Sequence, residues 1–189
     1  MADDPYERVT KDGKTLDRIT LEALLATEKI LGYELTVVQG SYNAGGVAAA
    51  AGTHDGGGAS DLKPWDWGDK VRALRKVGFA AWHRPAIQGL WGEHIHAILI
   101  GNVKLSPAAE RQVEDYRNGL DGLAGHNPDP TWHPSPIPVF EWPKPARQWF
   151  PVVHRVVTAN LYVKNQTPVA GVNRIIARVA ARFHFGPDV

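Results

Sequence analysis

Alternating apolar and polar positions predict a short hairpin and then a helix at the start of the chain. The pair Asp12-Gly13 separates short polar and apolar stretches within residues 7–15 and indicates a local β-hairpin. From about Thr20, leucines recur at helical spacing as far as Gly32. A glycine at that place commonly ends a helix, so we expect the first helix to stop there.

Further apolar runs predict three strands and two helices. The predicted strands are 35–39, 79–82 and 95–100, and the predicted helices are 70–77 and one that opens at 106–110. In that last helix, a serine serves as the cap and a proline occupies the first helical position. Helices and strands alternate irregularly, which favours an α+β fold.

The segment from Gly40 to Gly58 is rich in glycine and alanine. Its many glycines make an ordinary helix unfavourable, so a loop is predicted. Loops on a rigid scaffold often carry function, which directs attention to this segment.

The second half of the chain changes character. We expect one domain over residues 1–118, followed by a proline-rich segment, 119–151, that is a linker or a wrap over the domain surface. Residues 152–189 are predicted to contain a strand at 152–157 and a basic amphipathic helix at 169–183. This last part could dock on the domain, bind a partner or begin a further module.

Composition narrows the classes of protein. The 189 residues fit one domain of ordinary size with one active site. A formal charge of +1 lacks the basic footprint of sequence-independent phosphate binding, so no nucleic-acid partner is expected. Because the chain has no cysteine, any metal ion must be held by His, Asp or Glu.

The N-terminal residues lack the basic and apolar regions of a signal peptide. No run approaches the ~18 apolar residues of a membrane span. We therefore expect a protein made in the cytoplasm without a membrane span. It would reach an outside substrate after lysis, by a delivery machine or as part of a virus particle.

The most informative segment runs from Gly52 to Leu62. If Gly57-Gly58 forms a two-residue hairpin turn, His54 faces Asp61 across it. Facing residues have Cβ atoms ~4.5–5.5 Å apart, so both side chains could reach one ion.

A second segment, Trp91 to Ile98, contains Glu93, His94 and His96. A third ligand from this segment would complete a three-ligand site with one open position, the arrangement of catalytic zinc. We expect the strand to begin at about His94, so that Glu93 lies on the preceding turn and near the ion.

A resemblance to a known family rests on these two segments. The pattern His54-x6-Asp61 followed by Glu93-x-x-His96 resembles the M15 zinc peptidases over roughly residues 21–101. That family includes D-Ala-D-Ala carboxypeptidases, vancomycin-resistance dipeptidases and phage endolysins that cut L-Ala-D-Glu bonds. The resemblance implies a small antiparallel sheet with flanking helices, as in the M15 and hedgehog-like domains.

Roles follow from the resemblance residue by residue. It implies Zn²⁺ ligation by His54, Asp61 and His96, with Glu93 as the catalytic base. His94 matches a histidine of one carboxypeptidase-like subgroup, where it helps to stabilise the reacting carbonyl.

The family usually has an arginine shortly after the strand that precedes the first ligand. There this chain offers Asn43, and Arg84 or His94 is expected to take over the role of that arginine. The role is to polarise the scissile carbonyl or to hold a substrate carboxylate.

The sequence thus predicts a zinc metallopeptidase that hydrolyses peptidoglycan stem peptides, as a phage- or prophage-type lytic endopeptidase. One alternative is a D-alanyl-D-alanine carboxypeptidase. An alternative of another class is a non-catalytic peptidoglycan-binding module with a structural zinc ion.

Overall fold

The computed structural model describes residues 4–45 and 50–142, and these form an α+β fold. The helices are α1 (Arg18–Leu31), α2 (Trp67–Val77) and α3 (Pro107–Arg117). The strands are β1 (Arg8–Lys11), β2 (Lys14–Asp17), β3 (Val37–Gln39), β4 (Ala59–Leu62), β5 (Phe79–Arg84) and β6 (His94–Leu99). The predicted strand at 152–157 and helix at 169–183 lie outside the described residues.

Local signals in the sequence set the first elements, as predicted. β1 and β2 form an antiparallel hairpin around Asp12 and Gly13. The side chain of Asp17 caps α1 by accepting a hydrogen bond from the Thr20 backbone N–H at 3.0 Å. Gly32 ends the helix with a φ of 77°, a left-handed conformation that glycine adopts without strain.

A four-stranded antiparallel sheet, in the order β3-β4-β6-β5, lies between helices on its two faces. On β6, Ile95, Ala97 and Leu99 pack with buried residues of α1 and α2. Ile98 points to the opposite face and packs with Val113 of α3. We call these the α1/α2 face and the α3 face.

The predicted hairpin that would place His54 opposite Asp61 is wrong. β4 pairs with β3 and β6, while the residues before it form turns and bends. The reason lies in the glycines: a Cβ on Gly57 would lie 2.3 Å from a carboxylate oxygen of Asp17. Gly57 therefore serves close packing of the loop rather than a two-residue turn.

Residues 119–142 of the proline-rich segment lie against the domain. The fully buried side chain of Arg75 forms an ion pair with Asp129, whose side chain is 4% exposed. Phe140 and Trp142 pack on the apolar core of the α1/α2 face. The described part of this segment therefore runs over the domain surface as a wrap.

Among the described helices, none is long and apolar enough to cross a membrane.

Candidate metal centre

One row of residues crosses the α3 face of the sheet. The strand register places Asp61 opposite His96, with Gln39 beyond Asp61 and Trp82 beyond His96. Directly opposite residues share a face, so these four side chains project on the same side. The sheet, rather than a local hairpin, brings Asp61 and His96 together.

His54 joins this row from the loop before β4. Its Nδ1 lies 2.9 Å from the backbone oxygen of Gly40, and its Nε2 lies 3.3 Å from Asp61 Oδ1. The Asn43 backbone N–H donates to the His54 carbonyl at 2.8 Å, which holds the loop against the chain that follows β3. Only 1% of His54 is exposed, so its position is fixed by packing.

His54, Asp61 and His96 form a buried group that can hold a metal ion. Their ligand atoms all lie within 4.8 Å of one another. The Nδ1 atom of His96 is 2.7 Å from Asp61 Oδ1. Ligand atoms around a tetrahedral zinc ion at ~2.0–2.1 Å would be roughly 3.3 Å apart, so small shifts of these side chains would accommodate the ion.

The second nitrogen of His96 faces α3. Its Nε2 lies 2.9 Å from Gln112 Oε1, and the Gln112 amide nitrogen donates to the backbone oxygen of Gly122 at 2.8 Å. Both histidines of the group thus have one nitrogen near Asp61 and the other bound to an oxygen acceptor.

The electrostatics of the group keep Asp61 ionised. Burial alone would raise the pKa of Asp61, but its hydrogen-bond contacts with the imidazoles of His54 and His96 outweigh it and hold that pKa well below its usual range. Burial works to lower the pKa of His54, yet the hydrogen bond and charge of Asp61 leave it raised. For His96, burial prevails and the pKa is lowered. An anion thus sits between two imidazoles, one of which favours the neutral form.

His94 lies at the edge of the same group. Its Nδ1 is 2.7 Å from the backbone oxygen of Gly92, and its Nε2 is 3.9 Å from Asp61 Oδ1. Since a carbonyl oxygen only accepts, Nδ1 carries the proton and Nε2 presents a lone pair in the neutral ring. His94 also lines the cavity over the group, as does Trp91.

Glu93 lies on the bend before β6, as expected, but its side chain points elsewhere. Its carboxylate is 2.8 Å from His83 Nε2, and His83 stacks on Trp67 with ring centroids 4.4 Å apart. Glu93 is absent from the lining of the described cavity, and its side chain is 49% exposed. The structure therefore brings His94, and not Glu93, to the metal group.

Of the two predicted substrate-binding residues, Arg84 lines the cavity and Asn43 does not. Asn43 is exposed and contributes its backbone to the His54 loop. Arg84 lines the cavity, is 6% exposed and lies over the Trp82 ring at 5.0 Å. Its Nη2 has no hydrogen-bond partner within the described residues. Burial lowers the pKa of Arg84 to about 10, so the guanidinium stays charged at neutral pH.

Sequence reasoning missed two glutamines of the cavity. Gln39 lies at the end of β3, and its buried Nε2 has no partner among the described residues. Gln112 lies on the side of α3 that also carries the buried residue Ala109. The helical spacing of apolar residues predicts that this side is buried, but it does not predict a contact with a histidine. Alternation along the strands predicts which residues of the sheet share a face with His96, but it does not identify residues of a helix such as Gln112.

The cavity over the metal group is small and open to solvent. Its volume is about 70 Å³, well below the ~300–1,000 Å³ typical of ligand clefts. Its further lining comes from the His54 loop and from Leu123 of the wrap.

A scan of protein-family models and searches of curated proteins and of solved structures find no match to this chain.

Proposed function

We propose that this chain is a zinc-dependent peptidase of the M15 type that hydrolyses amide bonds of peptidoglycan stem peptides, as a phage- or prophage-type endopeptidase. The observation that carries the proposal is the convergence of ligands on one buried point. His54 Nε2 and His96 Nδ1 lie 3.3 and 2.7 Å from the same oxygen of Asp61. When these two nitrogens carry lone pairs, they and the carboxylate form a donor set that can bind one cation.

The donor set favours zinc. Two imidazoles and one carboxylate, without a thiolate, are a set that zinc accepts in catalytic sites, with a fourth position left for water or substrate. Magnesium and calcium prefer shells made of oxygen ligands, which two histidines do not supply. A bound zinc ion would supply Lewis-acid polarisation of a carbonyl and would make water acidic near neutral pH.

The residues around the group have complementary tasks. His94 lines the cavity, and in its neutral ring the Nε2 lone pair can take a proton from an attacking water. Glu93 remains the base implied by the family resemblance, and its carboxylate would have to leave His83 to act. Arg84 brings a guanidinium whose Nη2 has no hydrogen-bond partner within the described residues to the same cavity, where it can bind a carboxylate or a developing oxyanion.

Arg84 also supports the alternative of a D-alanyl-D-alanine carboxypeptidase. A nearly buried guanidinium whose Nη2 finds no hydrogen-bond partner in the described part of the chain is costly unless a ligand satisfies it. The terminal carboxylate of a stem peptide is such a ligand. An internal carboxylate of the same peptide has the same chemistry, and products distinguish the two activities.

Digestion of purified cell wall tests the proposal. The full chain, loaded with zinc, should lower the turbidity of a wall suspension and release peptides with new amino termini. New N-terminal D-Glu indicates the endopeptidase, and free D-Ala indicates the carboxypeptidase. Normal wall binding without any hydrolysis would instead favour the non-catalytic binding module, and absence of bound zinc after zinc is supplied would overturn the metal centre.

A further inference from the structure

A side chain of α3 connects the metal group to the wrap. Gln112 lies between His96 Nε2, at 2.9 Å from its Oε1, and the carbonyl of Gly122, at 2.8 Å from its Nε2. His96 in turn places Nδ1 2.7 Å from Asp61. The chain of contacts therefore runs from the wrap through an amide to an imidazole and ends at the proposed metal position.

The chemistry of the three groups fixes the direction of each hydrogen bond. The Gly122 carbonyl can only accept, so it must face the NH₂ end of the Gln112 amide. The other end of that amide is an oxygen, which also can only accept. His96 Nε2 must then carry a proton, and in a neutral ring its Nδ1 holds the lone pair.

Asp61 acts in the opposite direction. A carboxylate 2.7 Å from His96 Nδ1 favours a proton on that nitrogen, and a protonated Nδ1 cannot bind a metal ion. Without an acceptor at Nε2, the metal-free group would settle in this blocked tautomer.

We propose that Gln112 is a positioning residue that holds His96 in the tautomer able to bind metal through Nδ1, with Gly122 fixing the orientation of the Gln112 amide. This inference rests on the proposed metal centre and adds to it the atom of His96 that ligates. It also assigns the wrap a role in metal binding, although the sequence analysis predicts that the domain ends at residue 118.

The position of Gly122 is itself fixed by the sheet. Its φ is 68°, and a Cβ there would lie 3.0 Å from the indole ring of Trp82. The Trp82 indole N–H donates to the Leu120 carbonyl at 3.1 Å, close by in the chain. The same tryptophan lies 6.2 Å from the His96 ring, with the two planes nearly parallel. The Trp82 side chain of β5 thus lies against both Gly122 and the His96 ring.

Three substitutions of Gln112 in the full chain test the proposal. Gln112→Met removes the acceptor at similar size, Gln112→Glu keeps an acceptor, and Gln112→Lys offers only donors. Zinc affinity is measured by competition with a chromophoric chelator, and the His96 tautomer of the metal-free protein by ¹⁵N–¹H NMR of the imidazole. Gln39→Met is the matched control, because Gln39 also lines the cavity but has no hydrogen bond to His96.

We expect Gln112→Met to weaken zinc binding by ~10–100-fold, the usual effect of removing a partner of a ligating histidine. Gln112→Lys should weaken it further. Gln112→Glu keeps the acceptor for His96 but loses the donor to Gly122, so it should bind zinc more tightly than Gln112→Met does, and Gln39→Met should bind like the unmodified chain. The Nε2–H signal of His96 should be present in the unmodified chain and in Gln112→Glu, and absent in Gln112→Lys.

Equal zinc affinity in Gln112→Met and Gln112→Glu, or an Nδ1–H tautomer in the unmodified protein, would overturn the inference. If the methionine variant fails to fold, the tautomer of the unmodified chain and of Gln112→Glu still decides. A failure of the proposed function looks different. A chain that binds no zinc, or binds it without hydrolysing wall peptide, still reports its His96 tautomer by NMR.

Discussion

The two faces of strand β6 differ in what they contribute. On the α1/α2 face, Ile95 and Ala97 are fully buried among apolar side chains. On the α3 face, His94 and His96 occupy the alternating positions, and only Ile98 continues the apolar pattern. A single strand thus carries scaffold on one face and chemistry on the other, and a shift of one residue in register would exchange them.

Two of the buried polar groups without a hydrogen-bond partner in the described residues lie at the cavity. Gln39 and Arg84 each have a buried nitrogen without a hydrogen bond inside the described chain, and both line the cavity on the α3 face. The α1/α2 face keeps its strands together by burial of apolar surface.

The largest expected effects come from alanine substitutions at two neighbouring residues of β6 whose side chains lie on opposite faces. His96→Ala should abolish zinc binding, because one of three protein ligands is lost, and should lower the stability of the metal-free protein by ~1–3 kcal/mol through the lost contacts with Asp61 and Gln112. Ile95→Ala should lower the free energy of unfolding by ~2–5 kcal/mol and leave zinc affinity unchanged. Urea unfolding and a zinc competition assay on both variants check the comparison, and zinc retained by His96→Ala would break it.

The next effect separates His94 from Glu93. From the cavity lining we expect His94→Gln to lower the hydrolysis rate by ~10²–10⁴-fold with zinc retained, as loss of a general base does. Glu93→Gln, which leaves the cavity lining intact, should keep more than about a tenth of the rate on the same grounds. If Glu93→Gln instead loses nearly all activity, the carboxylate leaves His83 during reaction and is the base that the resemblance implies.

The sequence predicts the elements better than the way they combine. The glycine that ends α1 and the serine and proline that open α3 are local signals, and both helices are confirmed. The pairing of Asp61 with His96 depends on β4 lying between β3 and β6, which no local signal reveals. The spacing of the two motifs predicts the three residues that come together in the group able to hold a metal ion, but the hairpin inferred to join His54 to Asp61 is wrong.

The contacts of His96 with Gln112, and of Gln112 with Gly122, could not be predicted from the sequence for a similar reason. Gln112 and Gly122 meet His96 only because α3 and the wrap pack on the same face of the sheet. Neither residue type, in a helix or in a proline-rich segment, predicts such a contact by itself. Patterns within one element identify buried positions, and packing between elements decides which polar atom meets which.

Stability of the wrap should depend on the buried ion pair between Arg75 and Asp129. Breaking such a pair from one side costs ~3–5 kcal/mol, so Asp129→Asn should lower the free energy of unfolding by about that amount at neutral pH. Glu114→Gln is the control, since the pair of Glu114 with Arg117 is exposed and such pairs contribute only ~0–1 kcal/mol.

The pH dependence of this effect has a definite sign. Burial alone would raise the pKa of Asp129, but the Thr131 backbone N–H and the charge of Arg75 outweigh it and lower the pKa. The stabilisation is therefore present above the unfolded value of ~3.9 and is lost as the pH falls through the lower folded value. Urea unfolding should show the difference between Asp129→Asn and the unmodified chain shrinking below that pH, and a constant difference would contradict the assignment.

A smaller effect is expected from Arg84 on substrate selection. Arg84→Gln should lower kcat/KM for peptides that carry a carboxylate beside the scissile bond by ~30-fold or more, equivalent to about 2 kcal/mol for a lost buried charge contact. Peptides with that carboxylate converted to an amide should be affected less. Arg72→Gln, on the exposed side of α2, is the control. Equal losses for both kinds of peptide would assign Arg84 to structure rather than to recognition.

The smallest effect should come from the far end of the chain. The residues that line the cavity fall between Gln39 and Leu123, and Trp142 still packs on the core of the domain. A chain ending at Pro151 should therefore bind zinc and hydrolyse soluble wall peptide as the full chain does. The basic helix predicted at 169–183 would serve docking or targeting, so the shortened chain should be slower on intact wall. Zinc competition, peptide hydrolysis and wall turbidity compare the two chains directly. A shortened chain that is insoluble, or unfolded by circular dichroism, would show that residues beyond Pro151 belong to the domain.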